Sequence, residues 1–167
     1  NMEVFEDAWY IESSADGLFG SENIGLTVLC SHWLLTTLIH LLSLTGIRLF
    51  WFNIFLVLGV FISHIANLYV LSYKRKNNVY ILESIGMLMI LTPMLLSQLN
   101  MTEISAYIVI TGCILIVFGI DIEAKWAIVF GSLWVMFGGI IRIDCLAFGV
   151  IFLGIYFAVE VIISFFK

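Results

Sequence analysis

From Ile24 to the end of the chain, apolar runs of about 20 residues alternate with links of only a few polar residues. That alternation limits the fold more than any motif does. About 20 helical residues cover the ~30 Å hydrocarbon core of a bilayer. A water-soluble chain of this length would instead need polar loops and turns. Of the 167 residues, 62% are hydrophobic and 11% charged, with one proline and a mean hydropathy of +1.13. Soluble domains use roughly 45–50% apolar and 25% charged residues. Lipid is therefore the expected solvent for most of the chain. The expected fold class is all-α: a polytopic membrane protein, a bundle of about six transmembrane helices. The expected spans are 24–44, 49–71, 79–99, 104–120, 126–141 and 146–166, forming one domain over residues 24–167. Pro93 should bend the third span, because neighbouring helices can satisfy the carbonyl it frees.

Residues 1–23 differ in kind. Glu3, Glu6, Asp7, Glu12, Asp16 and Glu22 meet no Lys or Arg there, and their six negative charges outweigh the chain's net charge of −5. With Val4, Phe5, Trp9 and Tyr10 among them, the pattern suits a short acidic segment at the membrane interface. The acidic balance argues against nucleic-acid binding. No cleavable signal peptide is expected, since the first residues are acidic where such a signal is basic.

Topology follows from the stretch Ile62–Glu83, which carries the one basic cluster between two long apolar runs, Lys74, Arg75 and Lys76. Basic residues in short loops favour the cytoplasmic side. An N-in, C-in threading puts Lys74, Arg75, Lys76, Lys125 and Lys167 inside, and only Arg48 and Arg142 outside. Tyr69, Tyr73, Tyr80 and Trp126 would then form an inner aromatic belt, and Trp51, Phe52 and Tyr107 an outer one. Asn100-Met101-Thr102 is an N-glycosylation sequon on the outer side. A plasma or inner membrane is the expected location.

Gly112 and Gly119, and Gly131 and Gly138, recur at seven-residue intervals in the fourth and fifth spans. Each pair lies on one stripe and lets backbones approach, either inside the bundle or between protomers. From Ser84 onward a Gly, apolar run, Gly grammar repeats as SIGMLMILTP, ITGCILIVFG, VFGSLWVMFGG and FGVIFLGIYF. This second half resembles the short membrane repeats of HdeD-like acid-stress proteins, a likeness that implies short helices and carries no function across. The repeated prolines of that family are absent.

Ionisable residues inside a span are costly and mark candidate sites. His64, Glu83, Asp121 and Glu160, with Asn67 one turn from His64, thread into the inner leaflet as a candidate polar or ion site. Such a layer could exchange protons near neutral pH. The competing explanation is structural: headgroup hydration, pairing with nearby lysines, or interhelical hydrogen bonds. Glu160 stands out, flanked by Ala158, Val159, Val161, Ile162 and Ile163 without a nearby base.

Cofactors are not expected. His32 and His40 share one face of the first span, as haem ligands would. Antiparallel pairing through Thr45–Arg48, however, places His64 level with about Thr27, roughly 7 Å below His32. Cys30 and Cys113 occupy matching depths of a three-plus-three repeat. In this they resemble the membrane subunits of sodium-pumping redox complexes, which hold an iron–sulfur cluster between such cysteines. The contexts VLCSH and TGCIL lack the glycine, proline and asparagine of those subunits, and a cluster normally takes four thiolates. Cys30, Cys113 and Cys145 show neither disulfide nor zinc spacing, and no metal site is expected. GxSxG, HExxH, GxGD-like aspartate pairs and phosphate loops are absent, so enzymatic activity is not expected.

Two functional classes remain. One is a non-catalytic membrane subunit acting as sensor, anchor or scaffold, self-associated or docked to a larger protein through residues 1–23. The other is a small transporter or channel for a proton, cation or small solute, using the inner polar cluster. A membrane redox subunit is the remote third. Broken helices at mid-membrane, the usual mark of a carrier, are limited to Pro93, which tilts the sequence reading toward the subunit.

Overall fold

The computed structural model describes residues 33–43, 51–74, 82, 85, 86, 89, 90, 92 and 101–165. Among these it is all-helical, without strands. Five helices are delimited: α1 (Trp33–Ser43), α2 (Trp51–Lys74), α3 (Met101–Asp121), α4 (Lys125–Ile141) and α5 (Ile143–Phe165). Three stretches are long and apolar enough to cross a membrane, Trp51–Tyr73, Met101–Asp121 and Ile143–Phe165, and α4 is a shorter apolar helix. These features suggest a membrane location.

Several boundaries differ from the expected spans. α2 runs on to Lys74 rather than stopping at Leu71, so its last turn carries Ser72 and Tyr73, both exposed. α3 starts at Met101 rather than Ile104, with Glu103 in its first turn. An acidic side chain there complements the unpaired N–H groups at a helix start. α5 begins at Ile143 rather than Leu146, with Asp144 in its first turn. Only Arg142, in an extended conformation, separates it from α4.

Contacts give the helix directions. α2 and α3 run the same way: Phe52 and Leu56 pack with Met101 and Ile104, Gly59 lies against Ile108, Asn67 bonds Thr111, and Tyr73 meets Phe118. Between α2 and α3 in the chain, helical positions are described at 82, 85, 86, 89, 90 and 92, and Thr92 among them reaches His64.

α3 and α4 form an antiparallel hairpin. A Cβ added at Gly112 would lie 2.7 Å from the Gly131 carbonyl oxygen, and one at Gly131 would lie 2.7 Å from that of Gly112. The Ser105 hydroxyl donates to the Gly138 carbonyl across the same contact at 2.7 Å. The hairpin closes through Ile122-Glu123-Ala124, where Glu123 takes a left-handed φ of 55° and the Ala124 N–H bonds the Gly119 carbonyl at 2.8 Å. That is the helix ending usually given to glycine.

α5 turns back beside α4, with Leu146 against Gly139, and runs parallel to α3 along Cys145, Gly149, Leu153 and Tyr156. It is loosely held, with only 6% of its apolar window buried.

Lys74 ends α2, Asp121 ends α3 and Lys125 opens α4, so these residues share one end of the bundle. There Tyr69, Tyr73, Phe118 and Trp126 form a ring-to-ring cluster with centroids 5.2–6.3 Å apart. Trp51, Thr102 and Arg142 lie at the other end.

Candidate intramembrane polar site

Halfway along the bundle, a layer of polar side chains interrupts the apolar core. His64 lies about 20 Å of helix rise from Trp51 and about 15 Å from Lys74. It is buried, as are Ser63 and Thr111, which have no exposed surface. An unpaired polar group is costly among apolar neighbours, and here nearly every one finds a partner.

His64 Nδ1 lies 2.5 Å from the Tyr107 hydroxyl on α3, and His64 Nε2 lies 2.6 Å from Thr92 Oγ1. The two rings meet edge to face. Asn67, one turn along α2, donates from Nδ2 to Tyr107 Oη at 3.1 Å and to Thr111 Oγ1 at 3.0 Å. Thr111 in turn donates to the Tyr107 carbonyl at 2.9 Å. Beside this cluster, Trp134 of α4 donates to Ser63 Oγ at 2.8 Å. The layer thus ties together α2, α3, α4 and the segment carrying Thr92.

One atom is left out. Asn67 Oδ1 is buried and has no hydrogen-bond partner among the described residues. Leaving such an acceptor unmade costs about 1–3 kcal/mol, as much as the neighbouring hydrogen bonds return.

The residues singled out from sequence separate into groups. His64 and Asn67 come together around Tyr107, at mid-height of the bundle rather than near its basic end. Asp121 is exposed at the end of α3, about 15 Å of helix rise beyond Thr111, and accepts a hydrogen bond from Tyr156 at 3.4 Å. Glu160 is exposed one turn beyond Tyr156 on α5. Gly112, Gly119, Gly131 and Gly138 are all buried in the α3–α4 contact. Glu83, Arg75, Lys76 and residues 1–23 lie outside the described residues.

Tyr107, expected in an outer aromatic belt, is instead the hub of the polar layer, and Phe52 from the same belt is buried at 1% exposure. Thr92, Thr111, Ser63 and Trp134 were not singled out. Tyr107 and Thr111, four apart in an apolar helix, lie on one face, as do His64 and Asn67, three apart; that matched spacing is the available signal.

Of the haem and iron–sulfur ligands considered from sequence, only His64 and Cys113 have side chains among the described residues. Cys113 is buried and its thiol lies 3.7 Å from the Gly149 carbonyl, so it belongs to the α3–α5 contact. Cys30, His32 and the side chain of His40 lie outside the described residues. Among the described residues, no group of three His, Cys, Asp or Glu could hold a metal ion. Comparison with protein-family models, curated proteins and solved structures gave no match, so the functional reading rests on this geometry.

Proposed function

We propose that this chain is a non-catalytic, multi-pass membrane protein that acts as a small carrier or channel for a proton, cation or small solute at the His64–Asn67–Tyr107 layer. The observation that carries the reading is the layer itself. It is a buried, titratable, incompletely satisfied polar network at mid-height, where four segments meet. Packing alone would favour fully satisfied hydrogen bonds or none. Six spans with both termini inside are part of the proposal; the parallel course of α2 and α3, which calls for a crossing between them, and the sharing of one end by Lys74 and Lys125 support it. A plasma or inner membrane is the proposed location.

A second reading, a membrane subunit joined to another copy or to a larger protein, draws support from α5. That helix leaves nearly all its apolar surface outside the bundle and carries Glu160 without a partner among the described residues. Residues 1–23 would provide a further docking element.

Reconstitution separates the two. Full-length protein in liposomes should dissipate an imposed gradient of protons, sodium or potassium, or admit a small polyol. Liposomes as tight as protein-free ones to all four probes would end the carrier reading and leave the subunit.

A further inference from the structure

Among the solutes open to this site, the geometry points to the proton, accepted at His64 Nδ1 and accommodated by a turn of the Asn67 amide. This inference rests on the carrier reading and narrows it. Space is the first argument. The His64, Tyr107, Thr92, Thr111 and Asn67 polar atoms pair with one another at 2.5–3.1 Å, leaving Asn67 Oδ1 as the single spare acceptor. A hard cation takes roughly six to eight oxygen ligands, and a solute needs a cavity. A proton needs neither.

Donor counting is the second argument. Tyr107 Oη has one hydrogen to give. Because it accepts from Asn67 Nδ2, that hydrogen points to His64 Nδ1, and the imidazole keeps its own on Nε2, donated to Thr92 Oγ1. Amide orientation and ring tautomer are assigned here from this network. The result is a chain of donors running one way, Asn67 to Tyr107 to His64 to Thr92.

When a hydronium from bulk water gives its proton to the site, an N–H bond forms at His64 Nδ1 and a water is left behind. The new N–H now donates to Tyr107 Oη, so the tyrosine hydrogen has to find another acceptor. A half-turn of the Asn67 amide supplies one, by bringing Oδ1 to where Nδ2 stood, within reach of Tyr107 and Thr111. With His64 neutral the Nδ2 setting keeps two hydrogen bonds, and with Nδ1 protonated the Oδ1 setting takes the tyrosine hydrogen, so the protonation state selects the setting.

Charge is the third argument. Among the described residues, Tyr107 is the one titratable group touching His64. From α3 come Tyr107 and Thr111, from α4 the uncharged Trp134 on neighbouring Ser63, and from the 82–92 segment Thr92. Glu83 of that segment lies outside the described residues. Among the described residues the imidazole is held by hydroxyls and touches no carboxylate, and an imidazolium so held can release its proton again.

The test is proton flux through liposomes carrying the full-length protein and an entrapped pH-sensitive dye, with a potassium ionophore to cancel the membrane potential. Wild type should collapse a pH gradient. His64→Gln, which still donates and accepts hydrogen bonds but holds no proton, should fall to the rate of protein-free liposomes. Asn67→Leu, which keeps the imidazole but removes the second acceptor, should slow flux about tenfold, the effect of one buried donor left unmatched. That variant decides the matter alone if His64→Gln does not fold. Undiminished proton flux in these variants overturns the inference. Sodium, potassium or polyol passage by wild type without proton passage overturns it too, while sparing the carrier reading; passage of nothing ends both.

Discussion

The two faces of α3 are built on opposite principles. Toward α4 it presents Gly112 and Gly119, and the backbones come so close that a single added carbon would meet main-chain atoms. Toward α2 it presents, among apolar contacts, Tyr107 and Thr111, whose polar side-chain ends make the hydrogen bonds between the helices. The glycine face has one arrangement, because backbone contact offers nothing to rearrange. The polar face has at least two, because hydroxyl hydrogens and an amide can turn without moving the helices. In lipid, where apolar packing between helices brings no hydrophobic gain, close backbone approach and polar contact are both ways of joining helices. Only the second can also carry chemistry.

Substitutions that treat the faces differently sharpen this contrast. The largest effect belongs to Gly112→Leu, whose Cβ would lie 2.7 Å from the Gly131 carbonyl oxygen and 2.8 Å from the Val135 nitrogen. Neither neighbour can swing aside. Unfolding in mixed detergent should show a loss of about 3 kcal/mol, at the upper end for overpacking, and a stability near wild type would mean that the hairpin is not so closely joined.

Next comes Tyr107→Phe, which keeps the ring and removes the hub hydroxyl. Interhelical hydrogen bonds in membrane proteins average about 0.6 kcal/mol and reach about 1.7. The loss should fall in that range, with proton flux abolished. A loss as large as that of Gly112→Leu would make the polar face a structural joint.

Smallest is the effect of Asn67→Leu on stability. It removes two weak bonds and the unmatched Oδ1 together, so the same unfolding measurement should change by less than about 0.5 kcal/mol. A large loss there would show that the amide is held firmly in one setting.

The contrast also explains what could be read from the sequence. The glycine faces of α3 and α4 were legible because residues at seven-residue intervals define a stripe on one helix; whether the facing helix lay in the bundle or in another protomer was not. That His64 and Asn67 share one face of α2 was legible for the same reason, being local to one helix. Tyr107 was not. Its depth pointed to an interfacial belt, and only the parallel course of α2 and α3 brings it onto His64. Thr92 is reached across a segment whose register depends on tertiary packing. Glu160 drew attention as a carboxylate in an apolar run. Helix ends set its surroundings instead, since α5 leaves the core after Tyr156 and nothing described lies across from the next turn. Depth along a helix can be counted in a sequence; azimuth relative to another helix cannot.

The most direct measurement is nitrogen NMR of the full-length protein in bilayers with 15N-labelled histidine, the His64 signals being identified by their loss in His64→Gln. A site that takes up protons from water should carry His64 from the neutral form protonated at Nε2 to the doubly protonated form as the pH is lowered through the range in which the protein stays folded. Signals fixed in one neutral tautomer across that range would contradict the account and leave the polar layer as a joint between helices.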